Sequence, residues 1–206
     1  MKKLIIGLLA VVFISSCTSI PKRVNKGSSI VGIDVGRAGI IPEPFGAIIY
    51  CKLKDPKDIY SIEKMGETSD GQGFHTYLFD AEPGTYIVVG TTFNSSYTVG
   101  NIQYTYKSFL FFPEKTVKST KIKVKKNQIV YMGTYRMRVA PKFLGTKNAL
   151  VEGDKAQRFF SSRISGYHRH PLMGIATKSA KGTEDKAKFM EKTGKLLKDS
   201  DWSDLL

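Results

Sequence analysis

Cysteine is nearly absent from this chain, with Cys17 and Cys51 the only two in 206 residues. Two thiols permit at most one disulfide, which excludes the stapled frameworks of small secreted domains. Histidine occurs only at 75, 168 and 170. His168-Arg169-His170 places two imidazoles close together, but a zinc site needs three or four ligands and a second shell, so this segment reads as a surface loop and no metal is expected. No apolar run reaches the roughly 20 residues that cross a bilayer as a helix. Internal repeats and low-complexity tracts are missing too, which excludes solenoids and propellers. Acidic residues are scarce, 18 against 32 Lys and Arg, for a net charge of +14.

What is present begins at the first residues. Lys2 and Lys3 precede an apolar run at 4–14 broken only by Gly7, and small residues follow it. That layout is an export signal. Ile14-Ser15-Ser16-Cys17 resembles the lipobox of bacterial lipoproteins, with Ile14 where Leu is usual. The resemblance implies a signal peptide at 1–16, cleavage before Cys17, and a diacylglycerol thioether with further palmitate-like acylation on that residue. Small side chains at Ser15 and Ser16 let a peptidase reach the scissile bond. Thr18 follows, where Asp would retain a lipoprotein of this kind in the inner membrane, so the resemblance implies outer-membrane residence.

Loss of residues 1–16 removes two lysines and no acid, leaving 30 basic against 18 acidic residues and a charge of +12. Such an excess attracts polyanions. Export excludes nucleic acid as the ordinary partner. The expected partners are the membrane, through the N-terminal lipid, and anionic lipid or an envelope polymer.

Residues 17–28 are polar, basic and aperiodic, a lipidated tether. From 29 to 140 strand signals follow one another, at 29–35, 47–53, 59–62, 74–79, 85–93, 102–112, 120–125 and 129–139, separated by breakers such as Asp55-Pro56 and Glu82-Pro83-Gly84. The expected fold is mainly β, an antiparallel β-sandwich of about eight strands. Alternation puts Cys51 into its core as a small hydrophobe. Phe79-Asp80-Ala81-Glu82-Pro83-Gly84-Thr85-Tyr86 resembles the turn of immunoglobulin-like or transthyretin-like modules of bacterial surface proteins, with Gly84 available for positive φ and Tyr86 in the core or at a corner. The remainder, 141–206, reads as a helical C-terminal extension with helices at 151–163 and 183–198, Thr183 as N-cap of the second. That helix either packs on the sandwich or docks a protein partner.

Catalytic chemistry finds little support. Val31-Gly32-Ile33-Asp34-Val35-Gly36-Arg37 resembles the first strand of ribonuclease-H-like and actin-like folds, but those need alternating helices that 40–140 lacks; an edge strand ending in a glycine-rich turn is expected instead. Asp80 and Glu82 flank a turn and read as solvated. No nucleophile elbow is present. Lys121, Lys123 and Lys125 alternate with Ile122 and Val124, so a strand would project three ammoniums, and Lys118 and Lys126 extend the patch. A solvated, aggregation-resistant edge is the plainer reading of those lysines. The expected protein is a non-enzymatic, lipid-anchored envelope module with a basic face and no cofactor; an envelope enzyme with an unrecognised site, or a surface adhesin, is the alternative.

Overall fold

Alternating apolar residues punctuated by turn formers produce a chain dominated by strands. The computed structural model describes residues 20–38, 43–139, 154–164 and 172–206. In order these form β1 (Ser29–Arg37), β2 (Glu43–Pro44), β3 (Ile48–Leu53), β4 (Ile62–Thr68), β5 (Gly71–Gln72), β6 (His75–Ala81), β7 (Gly84–Val99), β8 (Ile102–Phe111), α1 (Glu114–Thr120), β9 (Ile122–Val124), β10 (Ile129–Val139), α2 (Lys155–Arg163), β11 (Leu172–Ala180) and α3 (Thr183–Leu197).

The fold is mainly β, and the sheet is mixed rather than purely antiparallel. Its path runs β4-β3-β7-β8-β11-β10-β1-β6-β5, with β2 beside β1 and β9 beside β7. Two pairings are parallel, β1 with β10 and β8 with β11. The path is not closed into a barrel, because β4 and β5 end it without pairing to each other. Eleven strands replace the expected eight or so, partly because β11 comes from the segment expected to be helical. There Leu172 and Met173 pair with Leu110 and Phe111 of β8, while the rest of β11 runs antiparallel to β10. Gln157 of α2 covers this junction and donates from its amide to the carbonyls of Phe111 (3.1 Å) and Gly174 (3.0 Å).

Two other elements differ from expectation for local reasons. At 114–120, where only the first residue of the strand at 120–125 was expected, Glu114 follows Pro113, pairs with Lys118 four residues on at 2.5 Å, and leads a turn that buries Thr116, Val117 and Thr120. Those spacings suit a helix. Thr120 then substitutes for a strand residue: its hydroxyl accepts from the Val88 amide at 2.8 Å, filling the gap between β8 and β9 along β7. The strand expected at 59–62 starts only at Ile62, because the carboxylates of Asp55 and Asp58 accept from the amides of Lys57 and Tyr60 and hold a double turn.

The larger apolar core collects Val31, Ile33 and Val35 of β1, nearly all of β3, Ile87, Val88 and Val89 of β7, and Met132, Tyr135 and Met137 of β10. Cys51 lies in it, fully buried, and burial pushes its thiol up to about 12. A smaller core on the opposite face of β1 and β6 joins Ile30, Tyr77 and Phe79 to Phe189, Leu197 and Trp202. The C-terminal helix thus spends its apolar stripe on the sheet. Its N-cap is Gly182, which offers no side-chain bond, so Thr183 is the first helical residue. Beyond Thr92, whose backbone still bonds Gly46 and Ala47, and beyond Leu110, β7 and β8 pair only with each other among the described residues, out to Val99 and Ile102 at the tip.

Candidate functional site

Two places on the molecule bring together residues with chemistry to offer. The first is the end where the described chain starts. β1, β9 and β10 meet here: the Ser29 hydroxyl donates to the Lys125 carbonyl at 2.7 Å, and Gly84 at the start of β7 lies opposite Val124. The tether does not hang free. Asp80, with φ of 52°, aims its carboxylate at the tether and accepts from the amides of Val24 and Asn25 and from the Ser28 hydroxyl. Arg23 pairs with Asp204 at 2.7 Å, donates to the side chain of Asn127 at 2.9 Å, and lies 5.0 Å over the Trp202 ring. The Trp202 indole donates to the Pro21 carbonyl at 2.8 Å.

This folding sets the sequence-identified lysines in context. Ile122 is half-buried and Val124 buried, while Lys121, Lys123, Lys125 and Lys126 are exposed. Lys126 runs past Gly27, where a Cβ would lie 3.8 Å from its Cδ, so the tether residues Lys22 and Lys26 extend the same basic end. Lys118 contributes less, because it sits on α1 paired with Glu114, and Lys121 donates to the Pro56 carbonyl. The patch therefore centres nearer the tether than the sequence suggested. Val24 is 88% exposed among these charges. The lipobox residues Ile14, Ser15, Ser16 and Cys17, like His168 and His170, lie outside the described residues.

Asp80 and Glu82 serve separate purposes. Glu82 binds Lys52 at 2.8 Å, a hydrogen bond that lowers its pKa and raises that of Lys52. The Tyr86 hydroxyl donates to the Glu82 carbonyl at 3.0 Å, pinning the corner that the Pro-Gly-x-Tyr pattern suggested. Gly84 is near-extended (φ 159°) rather than in a positive-φ turn, since it already pairs with Val124 as the first residue of β7; a Cβ there would meet Lys52 at 2.9 Å.

The second place was not visible in the sequence. Asp34 lies on β1, which is flanked by β10 and β6 over most of its length, so the expected edge strand is an interior one. Its carboxylate is buried and hydrogen-bonded to Nδ1 of His75, directly opposite on β6. The Tyr131 hydroxyl donates to the same carboxylate at 3.2 Å and contacts the Thr134 hydroxyl at 2.5 Å. Tyr131 and Thr134 face the same side because β10 carries an extra residue between them. The register passes from Gly32↔Tyr131 to Asp34↔Thr134, with Gly133 at φ 120°. A glycine at positive φ in a bulge re-aims the strand. Burial raises the Tyr131 phenol well above its usual range.

Phe189 of α3 seals this cluster, stacking on Tyr131 with ring centres 4.5 Å apart and tilted against His75 at 5.9 Å. Gly32 makes that possible, since a Cβ there would lie 2.1 Å from the Phe189 ring. Beside His75 a cleft of about 570 Å³ opens between the β5–β6 turn and α3, lined by Gln72, Gly73, His75, Tyr77, Lys192, Lys195 and Leu196. Among the described residues no three His, Cys, Asp or Glu side chains gather as a metal site, and no helix is long and apolar enough to cross a membrane. Comparison with family models, with curated proteins and with solved structures finds no match to this chain.

Proposed function

We propose that this chain is a lipid-anchored protein of the bacterial cell envelope, a non-enzymatic module held against an anionic membrane by acyl chains on Cys17 and by the lysines around its tether. In this reading the sheet path folds over its larger core as a β-sandwich, and the outer membrane is the favoured address. The observation that carries the proposal is the docking of the tether. Ile20 lies three residues from Cys17, a reach of at most about 11 Å. An anchor at Cys17 therefore holds Lys22, Lys26, Lys125 and Lys126 within reach of the headgroups, where each contributes about 1 kcal/mol near an anionic surface.

Lipid chains and a basic patch are the two signals that stable peripheral anchoring requires. Because they sit at one end, they also orient the body. The β7–β8 arm then points away from the bilayer: the 16 residues of β7 rise about 50 Å from the patch to the tip.

Lys123, Lys125 and Lys126 changed together to Gln, in a chain freed of lipid by Cys17→Ser, test the patch. Binding to phosphatidylglycerol vesicles at low salt should weaken about ten- to a hundred-fold. Equal binding by parent and variant in a sedimentation assay would remove the basic face from the proposal.

A further inference from the structure

The cleft beside His75 is explained by neither the anchor nor the patch. We infer that it is a binding site for a phosphate group carried on a small organic molecule, gripped by Lys192 and Lys195 of α3 and by Nε2 of His75.

The inference starts from the buried carboxylate. An ionised group away from water is costly unless paired and hydrogen-bonded. Asp34 meets that condition with His75, Tyr131 and Thr134. A carboxylate on Nδ1 fixes the orientation of an imidazole, leaving Nε2 as the ring atom that can serve a ligand. His75 lines the cleft, so that atom is the one available to an occupant. Phe189 packs against the ring and Tyr77, locked by its hydroxyl contact with Thr193 at 3.1 Å, forms the wall below.

Across the opening stand Lys192 and Lys195, one helical turn apart; Lys195 also contacts Glu191 at 2.6 Å. Two lysines and a histidine ring nitrogen lining one space suit a phosphate dianion, with its several acceptor oxygens, better than a monovalent carboxylate. At about 570 Å³ the cleft exceeds what inorganic phosphate fills, and it falls in the range of small-molecule sites. Leu196 and Tyr77 offer apolar surface for the group that carries the phosphate. The same chemistry is presented by a soluble phosphate monoester and by the headgroup of phosphatidic acid.

The test uses the full-length chain in detergent micelles with ¹⁵N-labelled histidine. It is titrated separately with phenyl phosphate and with dihexanoyl phosphatidic acid below its micellar concentration. Saturable movement of the His75 Nε2 resonance is expected, identified by its disappearance in His75→Gln. Lys192→Gln with Lys195→Gln should weaken the Kd about ten-fold or more, and Lys198→Gln, exposed and outside the cleft, should leave it unchanged. Tighter binding of the lipid marks a headgroup as the source; binding of phenyl phosphate as tight or tighter marks a soluble ester. A His75 resonance that moves with neither probe, or a Kd that the double lysine variant leaves intact, overturns the inference. The lysine pair is exposed, so its replacement keeps the test valid even if His75→Gln unfolds. Failure here leaves the membrane anchoring proposal standing, since no residue is shared between the two sites.

Discussion

Trp202→Ala is expected to lower the free energy of unfolding by about 3–5 kcal/mol, the range for removing a fully buried large aromatic side chain. Trp202 is the only tryptophan, and it is buried completely four residues from the C-terminus. It joins two distant parts of the chain, β6 through the Phe79 ring at 5.4 Å, and the tether through the Arg23 guanidinium at 5.0 Å and the Pro21 carbonyl, which accepts from its indole N–H. Its loss opens a cavity in the smaller core and releases the tether that leans on it. Two readouts should move together, a urea midpoint shifted downward and faster tryptic cleavage at Lys22 and Lys26. Trp202→Phe keeps a ring in the core but not the indole donor, so its cost should be smaller. A loss under about 1 kcal/mol for Trp202→Ala would mean that tether and tail are not packed as described.

Cys17→Ser is expected to abolish acylation altogether. The thioether needs sulfur, and a serine hydroxyl at the same place does not accept the diacylglycerol. In cells fed an alkyne analogue of palmitate, the parent should label and the variant should not. Fractionation should show the energetic consequence. Each buried methylene contributes about 0.8 kcal/mol, so two or three acyl chains hold against washing. The lysines alone do not, because 1 M salt shortens the screening length to about 3 Å. The parent should remain with membranes after a 1 M salt wash and the variant should leave them. Unchanged labelling of the variant would refute the lipobox reading.

Strands were legible in the sequence wherever breakers were sharp. β1, β3, β6 and β10 begin or end within a residue or two of Pro, Gly or Asn-rich turns, and their apolar residues alternate over several positions. Three failures have physical causes. α1 is only 7 residues long and contains Val117 and three residues of Thr or Ser, so its helical period is too short to stand out from the β-branched residues around it. β11 mixes Gly174, Ala176 and Thr177 with few large side chains; what makes it a strand is its place between β8 and β10, a non-local pairing that no local pattern encodes. β4 moved because two Asx turns at Asp55 and Asp58 compete with the ladder.

The candidate sites divide in the same way. The alternation of Lys121, Lys123 and Lys125 with Ile122 and Val124 marked the basic edge, but only the docked tether shows which neighbours join it. The Asp34–His75 pair was out of reach, since 41 residues separate its partners. The bulge at Gly133 hid the rest. It breaks the two-residue period of β10, so Tyr131 and Thr134 share one face and Met132 and Tyr135 the other. A glycine in the middle of an otherwise bulky strand was the available signal for it.

Orientation on the bilayer is the most direct test of the proposed function. Cys51 is buried with its thiol pushed up to about 12, so a thiol-reactive fluorophore goes to an introduced cysteine on the acylated protein. Two exposed apolar positions bracket the molecule, Val24 in the tether and Ile102 at the tip of the β7–β8 arm. In anionic liposomes bearing a headgroup quencher, a label at Val24→Cys should be strongly quenched and one at Ile102→Cys, up to about 50 Å away, should not. Equal quenching at the two sites, or stronger quenching at Ile102→Cys, would contradict a body held to the membrane by its tether end.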